Sequence, residues 1–224
     1  TDLSDANALA TKFDIDVICK KLTHRFVRLA FAIVKNRSFS ETNFYSKDLA
    51  KVFIQHAATA DSILLTASSL ASYVINSAAF TALSSSKQKP QLLMDFMDVD
   101  SDKWRQYANE SNILKRIIYL REARKISRLE KATCEQFDIT FVIAQTEKTL
   151  LESLVGNTGN VTVLGNGIDQ GLFNPNSQKP DNKTNFLFSG VMDYKPNIDA
   201  MLWFAKHCWP NIVRKVPNAH LIIA

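Results

Sequence analysis

The sequence predicts an α/β protein built on parallel strands, with a large first domain and a second unit begun near the C-terminal end. Three observations predict it. Short runs rich in β-branched and aromatic residues alternate with segments of helical period along the whole chain, the mark of βαβ units. All six glycines lie between Gly156 and Gly190, so none interrupts the periodic segments before them. A polar, proline-bearing stretch at 166–184 (with NPNSQKPDNKT at its centre) separates the long N-terminal part from the short C-terminal one, as a linker does.

The elements come in this order. FDIDVIC (13–19) reads as a strand, 22–36 and 47–58 as helices. SILLTA (62–67) is strand-like and 68–79 helical. PQLLMDFM (90–97) is a short apolar strand, and 112–137 is a long helical stretch. ITFVIA (139–144) is a strand, 146–155 a helix and VTVLG (161–165) a strand. After the linker come a strand at NFLFSG (185–190), a helix at 196–214 and a strand at HLIIA (220–224). Runs of four to eight apolar residues between helical periods are the buried-strand pattern. HLIIA is a strand of buried type, so an unfinished sheet edge there is open to pairing with a second copy in a dimer.

Composition narrows the function. Lys and Arg number 27 against 22 Asp and Glu, a formal charge of +5 that weakly favours an anionic partner. Cys19, Cys134 and Cys208 are far apart and in no metal spacing, and the four histidines form no His/Cys cluster, so zinc chemistry is not expected. No apolar run reaches membrane-spanning length, and the first residues do not form a secretory signal. The basic helix ILKRIIYLREARKISRLEKATCEQF (113–137) carries Arg121, Arg124, Lys125, Arg128 and Lys131. No aromatic platform or known motif accompanies it, so nucleic acid is not expected as a partner and a solvated helix face explains the charge. HRFVRLAFAIVKNR (24–37) joins an apolar face to basic residues. It fits a helix packed on the sheet, or a peripheral contact with an anionic membrane.

Three stretches carry candidate chemistry. In QLLMDFMDVDSDKW (91–104) an apolar run ends in Asp98-Val99-Asp100. Two carboxylates spaced by one residue can hold a divalent cation against a phosphate. The DxDx(T/V) phosphatase pattern is disfavoured because Asp102 stands where Thr or Val is needed. Asp100-Ser101-Asp102 equally suits a helix N-cap. In LGNGIDQGLFNP (164–175), Asn166-Gly167 suits a turn with positive φ. In FLFSGVMDYKPNIDAMLWFA (186–205), a strand ends at Ser189-Gly190 and Pro196 sits where a helix begins. Amides at that end, with Lys195, suit a diphosphate, and a well-capped βα turn explains the same residues. Asn43, Phe44 and Tyr45 fall in a loop on the side expected to meet an acceptor.

NGID…LFNP followed by the Ser189-Gly190 strand end resembles family-4 glycosyltransferases of the GT-B fold. MDFMDVDSDKW, YLREARKISRLEKATCEQFD and SGVMDYKPNIDA resemble one subgroup, the bacterial sugar transferases associated with exopolysaccharide gene clusters. The resemblance runs over nearly the whole chain. It implies a Rossmann-like acceptor-side domain at 1–165 that lacks its first βα unit, a hinge at 166–184, and the start of a Rossmann-like donor-binding domain at 185–224. It implies retaining transfer of a sugar from a nucleotide diphosphate sugar to a polysaccharide or lipid-linked acceptor, in the cytoplasm, without metal or cofactor. Ser189, Gly190 and Lys195 would meet the donor diphosphate, Asn166 and Gly167 the hinge side of the cleft, and Asp98 the acceptor. Two departures stand out. Val191 occupies the place where the family often has a basic residue, and the family's Glu-x₇-Glu donor motif is expected in the donor-binding domain beyond Ala224. The rival expectations are a metal-dependent sugar-nucleotide or phosphate enzyme using Asp98 and Asp100, and a non-catalytic interaction module.

Overall fold

The computed structural model describes residues 2–20, 22, 24–75, 77–84, 89–157, 159–171 and 184–224. The chain forms two compact units, Thr1–Gly167 and Ile168–Ala224, so the division falls between Gly167 and Ile168.

The first unit opens with four helices, α1 (Asp2–Phe13), α2 (Arg25–Val34), α3 (Phe39–Phe44) and α4 (Lys47–Ala57). Strand β1 (Ser62–Thr66) leads through a 3₁₀ turn at Ser68–Tyr73 and helix α5 (Ala78–Ser84) to β2 (Gln91–Asp95). The packed pair α6 (Asp100–Asn109) and α7 (Ile113–Gln136) comes next, then β3 (Ile139–Val142), α8 (Gln145–Val155) and β4 (Val161–Val163). Local chemistry sets several boundaries. The Ser38 hydroxyl caps α3 by accepting from the Glu41 amide at 3.0 Å, and Asn112 caps α7 by accepting from the Lys115 amide at 3.1 Å. Gly156, at φ +90°, ends α8 in a conformation that side chains resist.

The strands form one parallel sheet in the order β1-β2-β3-β4. Register places Leu65, Met94, Thr140 and Val161 in one row across its buried face. Leu92, Met94 and Val142 are fully buried there among Leu129, Cys134 and Leu151 of the helices. Each such side chain stabilises the fold by roughly 1.5–3 kcal/mol. Because every crossover steps in the same direction, its helices gather on one face. The other face shows it: Leu64 aligns with Leu93 and Ile139, and Leu64 is 56% exposed.

The second unit pairs β5 (Asn185–Phe188) with β6 (His220–Ile223) in parallel, through α9 (Lys195–His207) and α10 (Trp209–Lys215). Pro196 and Pro210 each occupy a first helical turn, where a missing amide hydrogen costs nothing. Pro210 is why the expected single helix over 196–214 is two helices that meet at Cys208.

Other expectations need correction. FDIDVIC is not a strand: Phe13 ends α1, Asp14 takes φ +51°, and no strand pairs with 14–19 among the described residues. A strand without a neighbour has no ladder to satisfy its amides. The helical period at 68–79 resolves into the 3₁₀ turn and the start of α5. Helices α1 and α3 have no counterpart among the sequence expectations, and α6 begins at the helix cap expected around Asp100-Ser101-Asp102, with Val99 as its N-cap. The central part of the expected linker, 172–183, lies outside the described residues.

Candidate functional site

The C-terminal end of β1 and the turn after it, with α3 and the start of α6, build a cup of about 320 Å³ in the first unit. Phe44 and Trp104 supply aromatic walls, Ser40, Thr66 and Ser69 supply hydroxyls, and Asp100 and Lys103 supply charge. Open parallel sheets place ligands at this end of their strands.

Ala67 at its rim and the loop that joins β2 to α6 are strained and tightly held. Ala67 takes φ +81° and Met97 φ +59°, left-handed conformations that cost a non-glycine residue about 1–3 kcal/mol each. Hydrogen bonds impose them. The Ala67 amide donates to the Asp95 carbonyl at 2.7 Å, and the Met97 carbonyl accepts from the Ile143 amide at 3.2 Å. The Met97 amide donates to the Asp95 carboxylate at 3.1 Å. Two glutamates from the helices then fix the loop. Glu147 of α8 accepts from the Val99 amide at 2.9 Å, and Glu130 of α7 accepts from the Ser101 amide at 2.9 Å. Burial raises the Glu130 carboxyl above the ordinary glutamate range, against the lowering effect of its bonds to Ser101.

This wiring decides what the Asp98-Val99-Asp100 stretch does. Asp100 begins α6, and its carboxylate accepts from the Ser68 hydroxyl at 2.6 Å and from the Lys103 ammonium at 3.2 Å. It is a structural acid that shapes the cup wall. Asp98 is exposed on the same loop, its amide donating to the Phe96 carbonyl at 2.7 Å. Among the described residues no three Asp, Glu, His or Cys side chains group in a way that could hold a metal ion. The sequence marks Lys103 and Trp104 only as neighbours of a helix cap. Trp104 is held from behind by Tyr107 and Tyr119, with ring centroids at 5.9 and 5.4 Å. Asn43 and Phe44, expected in a loop, instead close helix α3, whose hydroxyl-capped turn carries Phe44 to the cup, and Tyr45 follows the helix. An aromatic wall with a few placed hydroxyls suits a ring whose faces are C–H and whose edge is polar.

In the second unit, Ser189, Gly190 and Lys195 lie between the end of β5 and the start of α9. The Gly190 amide donates to the Ala224 carbonyl at 2.9 Å, which withdraws it from any ligand. A side chain at Gly190 would meet Asn197 at 2.9 Å and the Phe188 ring at 3.1 Å, so this glycine serves close packing. Among the described residues the amides of Val191, Met192 and Asp193 make no hydrogen bond, and they open the loop before α9. Lys195 pairs with Asp199 one turn along α9. Asn166 and Gly167 are exposed in irregular backbone at the end of the first unit. Gly167 does not take the positive φ expected of it, because no hairpin closes there and the chain simply runs on from β4.

No family model matches the chain, and no curated protein and no solved structure matches it significantly. The resemblance drawn from MDFMDVDSDKW and SGVMDYKPNIDA therefore rests on those residues.

Proposed function

We propose that the chain belongs to a metal-independent, retaining glycosyltransferase of GT-B architecture that moves a sugar from a nucleotide diphosphate sugar to a polysaccharide or lipid-linked acceptor in the cytoplasm. The observation that carries the reading is the cup at the end of β1, with Trp104 and Phe44 as walls and hydroxyls around them. In this reading the first unit holds the acceptor. Asp98 orients its attacking hydroxyl, and Asp100 keeps the wall in shape. The second unit takes the donor. Amides of the loop before α9 and the Lys195 ammonium stabilise the departing diphosphate by electrostatics alone. The exposed basic surface of the first unit then faces an anionic membrane.

The test is a panel of nucleotide diphosphate sugars supplied to the full-length protein with glycan and lipid-linked acceptors, reading nucleoside diphosphate release. The expected result is acceptor-dependent release that survives EDTA and falls about a hundredfold in Asp98→Asn, the range for losing one acid–base group. Release that stops in EDTA and returns with Mn²⁺ would overturn the metal-independent reading. Silence across the panel would remove the transferase reading.

A further inference from the structure

Helix α2 is turned inside out relative to an ordinary surface helix. Phe26, Val27, Ala30, Ile33 and Val34 recur at helical spacing on its outward side, and Phe26 is 75% exposed. Its inward side carries Arg28, which donates to the Asn43 carbonyl oxygen at 3.0 Å, and the fully buried Ala32. A packed helix buries the opposite stripe.

Helix α7 has the same feature in its first two turns. Ile113, Leu114, Ile117 and Ile118 share one side and are all exposed, Ile113 at 77%. The same side continues along the helix as Arg121, Arg124, Lys125 and Arg128. An aliphatic section thus gives way to a cationic one. Crowding is evident there: burial first, and then Arg128 and Arg121, lower the proton affinity of Lys125. Arg121 also joins the two helices, since its guanidinium donates to the Arg37 carbonyl just past α2 at 2.9 Å. The apolar side of α7 therefore faces the region where α2 docks.

Charge selects the occupant. No Asp or Glu occurs between Asp16 and Glu41, or between Glu110 and Glu122. Both apolar stripes lie inside these acid-free spans, with Lys35, Lys115 and Arg116 beside them. Glu41, the carboxylate that adjoins Lys125, is paired with Arg37 at 3.2 Å, and apolar side chains in acid-free spans with cations beside them match a surface of acyl chains beneath anionic phosphates. Among the described residues no helix is long and apolar enough to cross a membrane, so the contact is peripheral.

We propose that the outward stripes of α2 and of the start of α7 dock on an anionic phospholipid bilayer, with the basic stripe of α7 on the headgroups. Trp104 of the cup wall packs at 5.4 Å on Tyr119, the residue that follows Ile118 on α7, so the cup adjoins the docked stripe. If the transferase reading holds, that closeness suits an acceptor whose lipid stays in the membrane. The docking itself does not depend on that reading.

The experiment is co-sedimentation of the chain with phosphatidylcholine vesicles and with equimolar phosphatidylcholine and phosphatidylglycerol vesicles, without nucleotide sugar. Binding is expected only to the anionic vesicles. It should collapse as added salt shortens the Debye length from about 10 Å to about 3 Å. Arg124→Gln, an exposed change that leaves the fold intact, should lower partitioning about fivefold. Leu114→Glu with Ile117→Glu should abolish it while circular dichroism stays unchanged. Equal binding to both vesicles, no binding to either, or indifference to all these substitutions would overturn the proposal. So would light scattering that shows the same stripes closing a dimer. Vesicle binding without transfer, or transfer without vesicle binding, tells the two readings apart.

Discussion

Glu122 accepts a 2.7 Å hydrogen bond from the hydroxyl of Ser38, 84 residues earlier in the chain. The same carboxylate accepts from the Phe39 amide at 2.9 Å and the Ser40 amide at 2.7 Å. It occupies the N-terminal end of α3, where amides lack helical partners and negative charge is favoured. Glu122 is 1% exposed, and Arg121 approaches it at 3.9 Å. A buried carboxylate is tolerated because three donors replace its water. The bond therefore fastens α3 to α7, and α3 carries Ser40 and Phe44 into the cup.

Replacing Glu122 by Ala strands those donors. A hydrogen bond to a charged group contributes about 1.5–3 kcal/mol, and the three are not additive. The expected loss is roughly 3 kcal/mol, which lowers the thermal midpoint by roughly 6–12 °C for a chain of this size. Calorimetry of the variant checks it, and a midpoint within about 2 °C of wild type sinks the anchoring role.

Glu130 predicts a pH dependence. Burial raises its carboxyl in the folded state above the ordinary value. The folded protein then holds this proton more tightly than the unfolded chain. Its stabilising effect is full below the ordinary glutamate pKa and is lost as pH rises through the raised value. Glu41 is raised for the same first cause, with Arg37 opposing, and adds to the trend. Urea midpoints should fall as pH rises from the usual glutamate range toward neutrality. Glu130→Gln keeps an oxygen for the Ser101 amide and should flatten part of that fall. An unchanged profile in the variant would falsify the assignment.

Much of the parallel sheet was legible because it is written locally. Leu92 and Met94 alternate with less buried neighbours, and Val142 and Val161 sit in short apolar runs with turn residues at each end. The cup was legible only in part. Asp98 and Asp100 stand out as a pair, and one residue's spacing says nothing of Ser68, which lies 32 residues away and holds Asp100. Asn166-Gly167 misleads because Asn-Gly favours a positive-φ turn only where strands fold back on each other. FDIDVIC misleads because β pattern reports a pleated, half-buried surface, and the described chain offers it no neighbour. Gly190 suggests a way in for phosphate, while its contact with Asn197 makes it a packing glycine.

Cysteine chemistry offers a quick check of the core. Cys134 is buried on α7, and burial pushes its thiol up to about 11. Cys19 is exposed. The thiolate is the reacting form, so the buried thiol is protected twice, by access and by proton affinity. Iodoacetamide at neutral pH should label Cys19 in the native protein and Cys134 only in denaturant, as read by peptide mass. Equal labelling of the two in the native state would contradict the packing of α7 on the sheet.

The donor assignment turns on Lys195 and not on Gly190. Any residue at Gly190 strikes Asn197 and Phe188, so its replacement damages the loop whatever the loop binds. Lys195 is exposed and pairs one turn along α9 with Asp199, itself exposed. An exposed pair of this spacing contributes about 0.3–0.5 kcal/mol, little enough for a phosphate to displace the carboxylate. Two substitutions should then act in opposite directions on nucleoside diphosphate affinity in the full-length protein. Lys195→Ala removes the cation and should weaken binding about tenfold, while Asp199→Asn removes its competitor and should tighten binding. Both should leave thermal stability within about 0.5 kcal/mol of wild type. Titration calorimetry reads the affinities directly. If both variants bind as wild type does, Lys195 serves only to stabilise its own helix turn, and the diphosphate must be held elsewhere.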